Sequence, residues 1–303
     1  MTLAAIQSAL NRRTSLRTPE TNALRLIDGA GDGFPGCVVE DFAGRLLVST
    51  SGSQVPPALR EWLRNTRASA YHKALDTHQK DAPVHLYGPE VAEPFPILEN
   101  AAQFEISFQS GYSQGIFLDQ RDNRAEVHRR CRPGMRVLNT FAYTGAFSVV
   151  AALGGAETTT LDLSRPYLDW AKRNFQLNGL DTDAHHFCKG DTFHWLRRFQ
   201  RQGRRFDGII LDPPTFSRDE DGKVFRAADD FGKLAALAAG ILSPGGWMLC
   251  CTNFRGVIPQ QFESRVLAAL RRPFSVRHAP MPADFTDSPY LKSLWLQAKD
   301  GSI

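Results

Sequence analysis

The sequence predicts an α/β protein in which a doubly wound parallel sheet follows a smaller α+β domain. From about residue 110 onward, short apolar strands alternate with helical patterns, the rhythm of a parallel sheet crossed by helices. Ahead of that point the pattern is hairpins and glycine-rich turns. A length of 303 residues accommodates two domains more readily than one. The expected division is 1–110 for a small α+β domain and 111–303 for the large one.

The elements follow in order. Residues 1–20 read as a short amphipathic helix and a polar link. Asp28-Gly-Ala-Gly-Asp-Gly-Phe-Pro-Gly36 is too rich in glycine and proline to be anything but a loop. Cys37–Phe42 and Arg45–Thr50 flank Ala43-Gly44, a hairpin turn. Pro56–Arg67 is helical, and Val84–Tyr87 and Phe104–Phe108 are strand-like on either side of a proline-punctuated stretch. Five strands then succeed one another: Arg136–Phe141, Thr158–Asp162, Ala184–Cys188, Phe206–Asp212 and Gly246–Thr252. Between them, Ser164 caps a helix with an early proline that Gly179 closes, and Asp229–Leu242 is a helix ended by Ser243-Pro-Gly-Gly246. Ligands of such sheets bind beyond the carboxyl ends of the strands.

Composition narrows the classes. Hydrophobic residues are 42% and charged residues 22%, which excludes wholesale disorder and fibrous repeats. No apolar run approaches the roughly 18 residues of a membrane span, and the first residues lack the basic start and apolar centre of a secretory leader. The five cysteines are scattered without a CxxC pair, which fits reduced thiols in the cytoplasm. His185 and His186 fall in one strand without ligand spacing, so no metal is expected. Of the 36 basic residues only eight are lysine and 28 are arginine, whose forks suit phosphates and bases. They concentrate at Arg121, Arg124, Arg129, Arg130, Arg132 and Arg136, and again at Arg197, Arg198, Arg201, Arg204 and Arg205.

The strand ends carry the chemistry. After the first strand of the alternating half stands Asn139-Thr-Phe-Ala-Tyr-Thr-Gly-Ala-Phe147, with Gly145 alone where a dinucleotide would need GxGxxG. S-adenosyl-L-methionine has no phosphate and needs one close backbone approach, not a glycine cradle. Asp162 closes the second strand, where a carboxylate can accept ribose hydroxyls. Asp191 follows the third, placed for an adenine edge, and Asp212-Pro-Pro-Thr-Phe216 follows the fourth, its prolines stiffening the loop where a methyl group would leave sulfur. Four such features in order point to a methyltransferase.

At these residues the chain also resembles a known family. Phe117-Leu-Asp-Gln-Arg-Asp-Asn-Arg124, Leu138-Asn-Thr-Phe-Ala-Tyr-Thr-Gly145, Asp162-Leu-Ser164, Asn174-Phe-Gln-Leu-Asn-Gly179 and Leu211-Asp-Pro-Pro-Thr-Phe216 are similar to the large-subunit ribosomal RNA methyltransferase I and K families, class I enzymes with a Rossmann-like sheet. The likeness runs from about residue 24 to the end, and includes the Gly31–Gly36 loop and Tyr290-Leu-Lys292. It implies an S-adenosyl-L-methionine-dependent enzyme of rRNA processing, with large-subunit ribosomal RNA or its assembly intermediate as partner. It also implies that Phe117, Asp119 and Arg121 pack over or pair with the cofactor. Tyr143, Thr144, Gly145, Asp162, Asp191 and Asp212 would line its pocket, with Phe141, Leu163, Ser164 and Thr192 adjoining them. The family's small RNA-binding PUA domain, which precedes the Gly31 loop in its members, has no counterpart in the short stretch here, leaving the N-terminal α+β domain as a possible RNA-substrate domain.

The resemblance also bears on the reaction. Members that make 5-methylcytosine carry a cysteine nucleophile seven residues after the second glycine before the fifth strand. That count from Gly246 reaches Asn253, and Cys250-Cys-Thr-Asn-Phe-Arg-Gly256 instead resembles the stretch of the branch that methylates guanine N7. A ring nitrogen attacks a sulfonium directly and needs alignment, not a covalent catalyst. The expected catalytic residues are therefore Asp212, Pro213, Pro214 and Asn253. Three readings stand beside this one: a cytosine enzyme using Cys251, a methyltransferase for a protein or small molecule, and a noncatalytic RNA-binding protein. Oligomeric state is open.

Overall fold

The computed structural model describes residues 2–75, 81–110, 113–218 and 224–299, with the backbone alone described for 216–218 and 224–229. The chain divides into two compact units, Met1–Arg121 with Met281–Pro289 and Asp122–Pro280 with Tyr290–Ile303. The first unit thus extends past residue 110 and takes in a segment from late in the chain, which no local pattern announces.

In the first unit, α1 (Leu3–Arg13) begins where the Thr2 hydroxyl accepts the Ala5 N–H at 3.2 Å. Strands β1 (Ala23–Asp28), β2 (Cys37–Phe42) and β3 (Arg45–Thr50) run antiparallel. The β2–β3 hairpin turns where expected, with Ala43 and Gly44 both at positive φ. Helix α2 (Pro57–Thr66) crosses to β4 (Ser69–Ala74), which lies parallel to β3, and β5 (Val84–Tyr87) closes a five-stranded sheet. Ile6, Ala9, Leu59 and Leu63 of the helices pack on Leu24, Ile27, Val39 and Val48. Strands β6 (Phe95–Glu99) and β7 (Ala102–Ile106) pair as a separate hairpin. β6 lies where the sequence predicts only a proline-punctuated stretch, because Pro94 and Pro96 mask its strand pattern. Proline is tolerated where its missing N–H faces away from the β7 ladder.

The 281–289 segment is fastened by buried charge. The Asp284 carboxylate is fully buried, accepts the Arg121 guanidinium at 2.6 and 3.0 Å, and takes the Arg25 N–H at 2.9 Å. Its backbone carbonyl accepts from Arg13 at 2.7 Å. Arg13 in turn forks onto Asp32 at 2.6 and 3.1 Å; Arg12 joins it, and Asp32 also accepts the Asp28 N–H at 2.7 Å. Gly31 passes so close to this segment that a Cβ would lie 2.3 Å from the Thr286 carbonyl oxygen, so the loop requires glycine.

In the second unit, α3 (Arg121–Arg130) leads into the predicted alternation: β8 (Arg136–Thr140), α4 (Ala146–Leu153), β9 (Glu157–Asp162), α5 (Arg165–Leu177), β10 (His186–Lys189), α6 (Thr192–Arg201) and β11 (Phe206–Leu211). A short hairpin, β12 (Phe216–Arg218) and β13 (Val224–Arg226), precedes α7 (Ala227–Gly240) and β14 (Leu242–Thr252). Helix α8 (Pro259–Ala268), β15 (Phe274–Ala279) and β16 (Lys292–Ala298) complete it. The seven-stranded sheet has the order β10-β9-β8-β11-β14-β16-β15 and is parallel except for β16, which runs against both neighbours. The strand order reverses at β8, the central position where a doubly wound sheet opens a crevice. Among the described residues no helix is long and apolar enough to cross a membrane.

The Asp32 cluster makes a testable demand. Burial acts to raise its carboxyl pKa, but hydrogen bonds from Arg13 and Arg12 overcome this and hold it below the ordinary value. A depressed folded-state pKa contributes stability above the unfolded value, about 4, and that contribution is lost as pH falls through the folded one. Urea unfolding across a pH series is expected to show stability declining on acidification below about pH 4. Asp32→Asn is expected to cost about 3–5 kcal/mol at neutral pH and to flatten that decline. An acid limb of equal slope in the variant refutes the assignment.

Candidate active site

The site is built by register. Leu161 pairs with Thr140, Thr140 with Leu211, and Leu211 with Cys250. Strands β8 and β11 therefore end level, β9 and β14 run one and two residues further, and Asp162, Phe141, Asp212 and Cys251 stand in a row across them with about 4.8 Å between neighbouring strands. Gly190 N–H donates to the Asp162 carbonyl at 3.0 Å, tying the end of β10 to the same row.

The loop from β8 into α4 is held in an unusual conformation. Phe141, Tyr143 and Gly145 all have positive φ, at 52°, 49° and 75°. The two non-glycine residues each carry a cost on the order of 1–3 kcal/mol, which the surroundings must offset. Tyr143 N–H donates to Asp162 Oδ2 at 2.8 Å, and Ala142 N–H to the Leu161 carbonyl at 3.0 Å. The buried Asn174 amide donates to the Thr144 carbonyl at 2.9 Å. The Tyr143 ring meets Tyr167 edge-on at 4.6 Å. Beneath the loop, Ser148 accepts from Asn139 at 3.0 Å and from Thr160 at 2.8 Å, all three buried. Gly145 packs directly on α5, where a Cβ would fall 2.7 Å from the Ala171 Cβ.

Asp162 is at once support and candidate ligand. Its second oxygen accepts the Ser164 N–H at 2.8 Å. Burial raises its pKa, and backbone N–H groups of Ser164, Tyr143 and Leu163 offset part of that rise. Those three donors occupy most of the roughly four acceptor positions a carboxylate offers, so the ribose-binding role expected for it has room for about one strong bond. The Tyr167 hydroxyl is pushed up by its burial and then by the Asp162 charge. Asp191 is the N-cap of α6, accepting the His194 N–H at 2.8 Å, and Thr192 is buried behind it.

On the other side of β8, Asp212 is half-buried, Pro213 buried, and Pro214 and Thr215 exposed; the side chain of Phe216 lies outside the described residues. The Thr215 hydroxyl donates to Asn253 Oδ1 at 2.6 Å, bringing the end of β14 against the Asp-Pro-Pro loop. The Lys292 ammonium donates to the carbonyls of Phe254 and Tyr290 at 2.7 and 2.9 Å and so braces the stretch after Asn253. Cys250 and Cys251 are fully buried in β14. Burial pushes the Cys250 thiol far up, and Cys251 Sγ contacts Ser293 Oγ at 3.6 Å.

Phe117, Asp119 and Arg121 belong to the first unit, where Phe117 is exposed, Asp119 half-buried and Arg121 committed to Asp284. The second unit brings the other expected residues together. Asn174, Thr215 and Lys292 stand in motifs that the sequence singles out without a role of their own, and no sequence signal marks Tyr167 or Ser148 as support for the loop. Asn174 carried a signal, an asparagine inside an amphipathic helix where only a bond to outside backbone repays its burial.

The rim has carboxylates at three strand ends and no glycine cradle for phosphate. A pyrophosphate would meet negative charge here, whereas a ligand bearing hydroxyls and a cationic sulfonium is complementary to it. Asn174→Ala removes the tether of the loop. Chemical unfolding is expected to show a loss of about 1–3 kcal/mol from the unsatisfied Thr144 carbonyl. A variant as stable as the parent would mean that the loop holds itself.

Comparison with known proteins agrees with this geometry. The family model for S-adenosylmethionine-dependent methyltransferases matches residues 65–289. The ribosomal RNA large subunit methyltransferase of Deinococcus radiodurans is 35% identical over 321 residues, covering 97% of this chain and 78% of the relative. Ribosomal RNA large subunit methyltransferase I of Yersinia pseudotuberculosis is 34% identical over 280 residues, covering 87% of this chain and 69% of its own. Among solved structures, the methyltransferase SMU.776 complexed with SAH superposes with a TM-score of 0.89 at 30% identity, over 98% of this chain and 80% of that one. An Agrobacterium tumefaciens SAM-dependent methyltransferase, 22% identical at a TM-score of 0.74 over 94% of this chain and 92% of its own, shares the fold. Sheet order, strand-end carboxylates and sequence likeness agree: the chain belongs to the S-adenosylmethionine-dependent methyltransferase family.

Proposed function

We propose that this enzyme transfers a methyl group from S-adenosyl-L-methionine to a base of large-subunit ribosomal RNA, directly to a ring nitrogen, guanine N7 being the favoured acceptor. Its relatives in Deinococcus and Yersinia are named as methyltransferases of the ribosomal RNA large subunit. The nitrogen acceptor is supported chiefly by one contact, the 2.6 Å bond between Thr215 and Asn253. With Asn253 Oδ1 so engaged, its amide retains two N–H donors, which suit the O6 acceptor of guanine and leave the N7 lone pair free to attack, and do not suit the amino group of cytosine.

The residues divide the work. Phe141, Tyr143, Thr144 and Gly145 would carry the methionine portion, Asp162 with Leu163 and Ser164 the ribose, and Asp191 with Thr192 the adenine. The cofactor supplies an electrophilic methyl on a sulfonium. Asp212 and the stiff Pro213-Pro214 would hold the acceptor base in line, Asn253 orienting it through its amide. A cytosine mechanism needs an accessible thiolate. Cys251 is fully buried and packed on Ser293, which disfavours that reading.

Two measurements test the scheme. Calorimetry with S-adenosylmethionine is expected to show Asp162→Ala weakened by roughly 10-fold or more, on the order of the 1–3 kcal/mol of a lost buried partner. Unchanged affinity in a folded variant moves the ribose elsewhere. Mass analysis of ribosomal RNA nucleosides after reaction in vitro is expected to find a methylated purine, made by Cys251→Ser and reduced about 100-fold or more in Asn253→Ala, as for loss of an orienting group. 5-Methylcytosine as the product, or a covalent adduct of Cys251 with 5-fluorocytosine RNA, would replace this mechanism with the cytosine one.

A further inference from the structure

The two arginine clusters are treated differently by the fold. In the first, Arg121 is paired with Asp284, Arg124 is buried against the Phe147 ring, and Glu126 takes Arg129, Arg130 and Arg277. Only Arg132 and Arg136 lie outside these pairings, beyond the end of α3. The second cluster occupies α6 and the turn after it. Between Thr192 and Phe206 the sequence has five arginines and no acidic residue. Arg197, Arg198, Arg201 and Arg205 are exposed and Arg204 half-buried, and among the described residues none of the five meets a carboxylate.

The opposite face of α6 explains the arrangement. Phe193, Leu196 and Phe199 are buried in the core, so the helical period sends Arg197, Arg198 and Arg201 together to solvent. Several of the guanidinium groups are held in place: Arg198 over Trp195 at 4.8 Å, Arg204 over Phe199 at 5.0 Å, and Arg205 donating to the Gly240 carbonyl at 2.5 Å. The helix dipole accounts for cations in the last turn, Arg198 and Arg201, but not for Arg197, Arg204 and Arg205. The repulsion also reaches a neighbour, since Arg272 has its pKa lowered first by burial and then by the charge of Arg205. Like charges gathered and fixed without counter-charge among the described residues form a surface complementary to a polyanion.

We propose that the exposed face of α6, with the turn through Arg205, is where the phosphate backbone of the RNA substrate docks. The proposal rests on the RNA reading above and adds the place of contact. Helix α6 starts at Asp191 in the strand-end rim, and Arg197 lies about 9 Å further along its axis, so one strand of RNA can reach both. Guanidinium forks bind phosphate bidentately and release condensed counterions when they do so.

The test is equilibrium binding of deproteinised large-subunit ribosomal RNA fragments over a series of salt concentrations. The parent enzyme is expected to weaken steeply as salt rises. The Arg197→Gln/Arg201→Gln double variant is expected to flatten the log–log slope by about 1.4–1.8, the release expected for two phosphate contacts. S-adenosylmethionine affinity by calorimetry should stay at the parent value, and Arg129→Gln, whose arginine is already paired, should keep the parent slope. Should the double variant unfold, Arg201→Gln alone is expected to flatten the slope by half as much. A parent that binds no RNA, or binds it indifferently to salt, overturns the RNA reading and this surface with it. A salt-dependent parent whose slope is unchanged in the arginine variants, or equally changed in Arg129→Gln, overturns the surface alone.

Discussion

Parallel strands bonded in register present their ends side by side, and in this protein that constraint places the candidate site. The pairs Leu161–Thr140, Thr140–Leu211 and Leu211–Cys250 leave no freedom in where Asp162, Phe141 and Asp212 stand. A one-residue slip in any of these strands would turn its terminal side chain to the other face of the sheet. Apolar residues on both faces of the strands make such a slip expensive, for Leu138, Leu161, Ile209 and Leu211 are buried on one face and Val137 and Ile210 on the other. The placement of these strand-end residues is in this sense a by-product of core packing.

The loop after β8 depends on that register. Its positive φ angles at Phe141 and Tyr143 are unfavourable in isolation. They persist because the Asp162 carboxylate receives one end of the loop and Asn174 the other. A charged group thus serves as a local structural anchor before any ligand arrives. Desolvation works against its ionised form, and three backbone N–H groups oppose that. A cationic sulfonium nearby would favour the same ionised state, so anchor and cofactor reinforce one another.

Arginine does different work in different surroundings. Arg13 and Arg121 are buried and joined to Asp32 and Asp284, fastening the 281–289 segment to the Gly31 loop within the first unit. Pairs of this kind contribute less to net stability than to the choice of one arrangement, because desolvation consumes most of their attraction. Arg129 and Arg130 share Glu126 at the surface, where the gain is small. The arginines of α6 meet no carboxylate among the described residues, and their charge is directed at solvent.

Much of this was legible in the chain. The β2–β3 hairpin, α2 and the alternation from β8 to β11 follow from turn chemistry and periodicity, which act over a few residues and need no distant partner. Gly145, Asp162, Asp191 and Asp212 could be named as candidates because the positions just after parallel strands are where ligands of such sheets bind. The edge strand β15 was missed because it alternates polar and half-buried residues, and β16 because it is set by its antiparallel pairing with β14. The pairing of Arg121 with Asp284, the tether from Asn174 to Thr144 and the contact of Asn253 with Thr215 span 163, 30 and 38 residues of sequence. The sequence by itself determined the strand–helix alternation from β8 to β11 and the kind of ligand such strand ends could hold, since both rest on local propensity and residue chemistry. Only the tertiary structure decided which arginines are neutralised and which face solvent, and which of Cys251 and Asn253 lies open, because burial and pairing are properties of residues brought together from far apart.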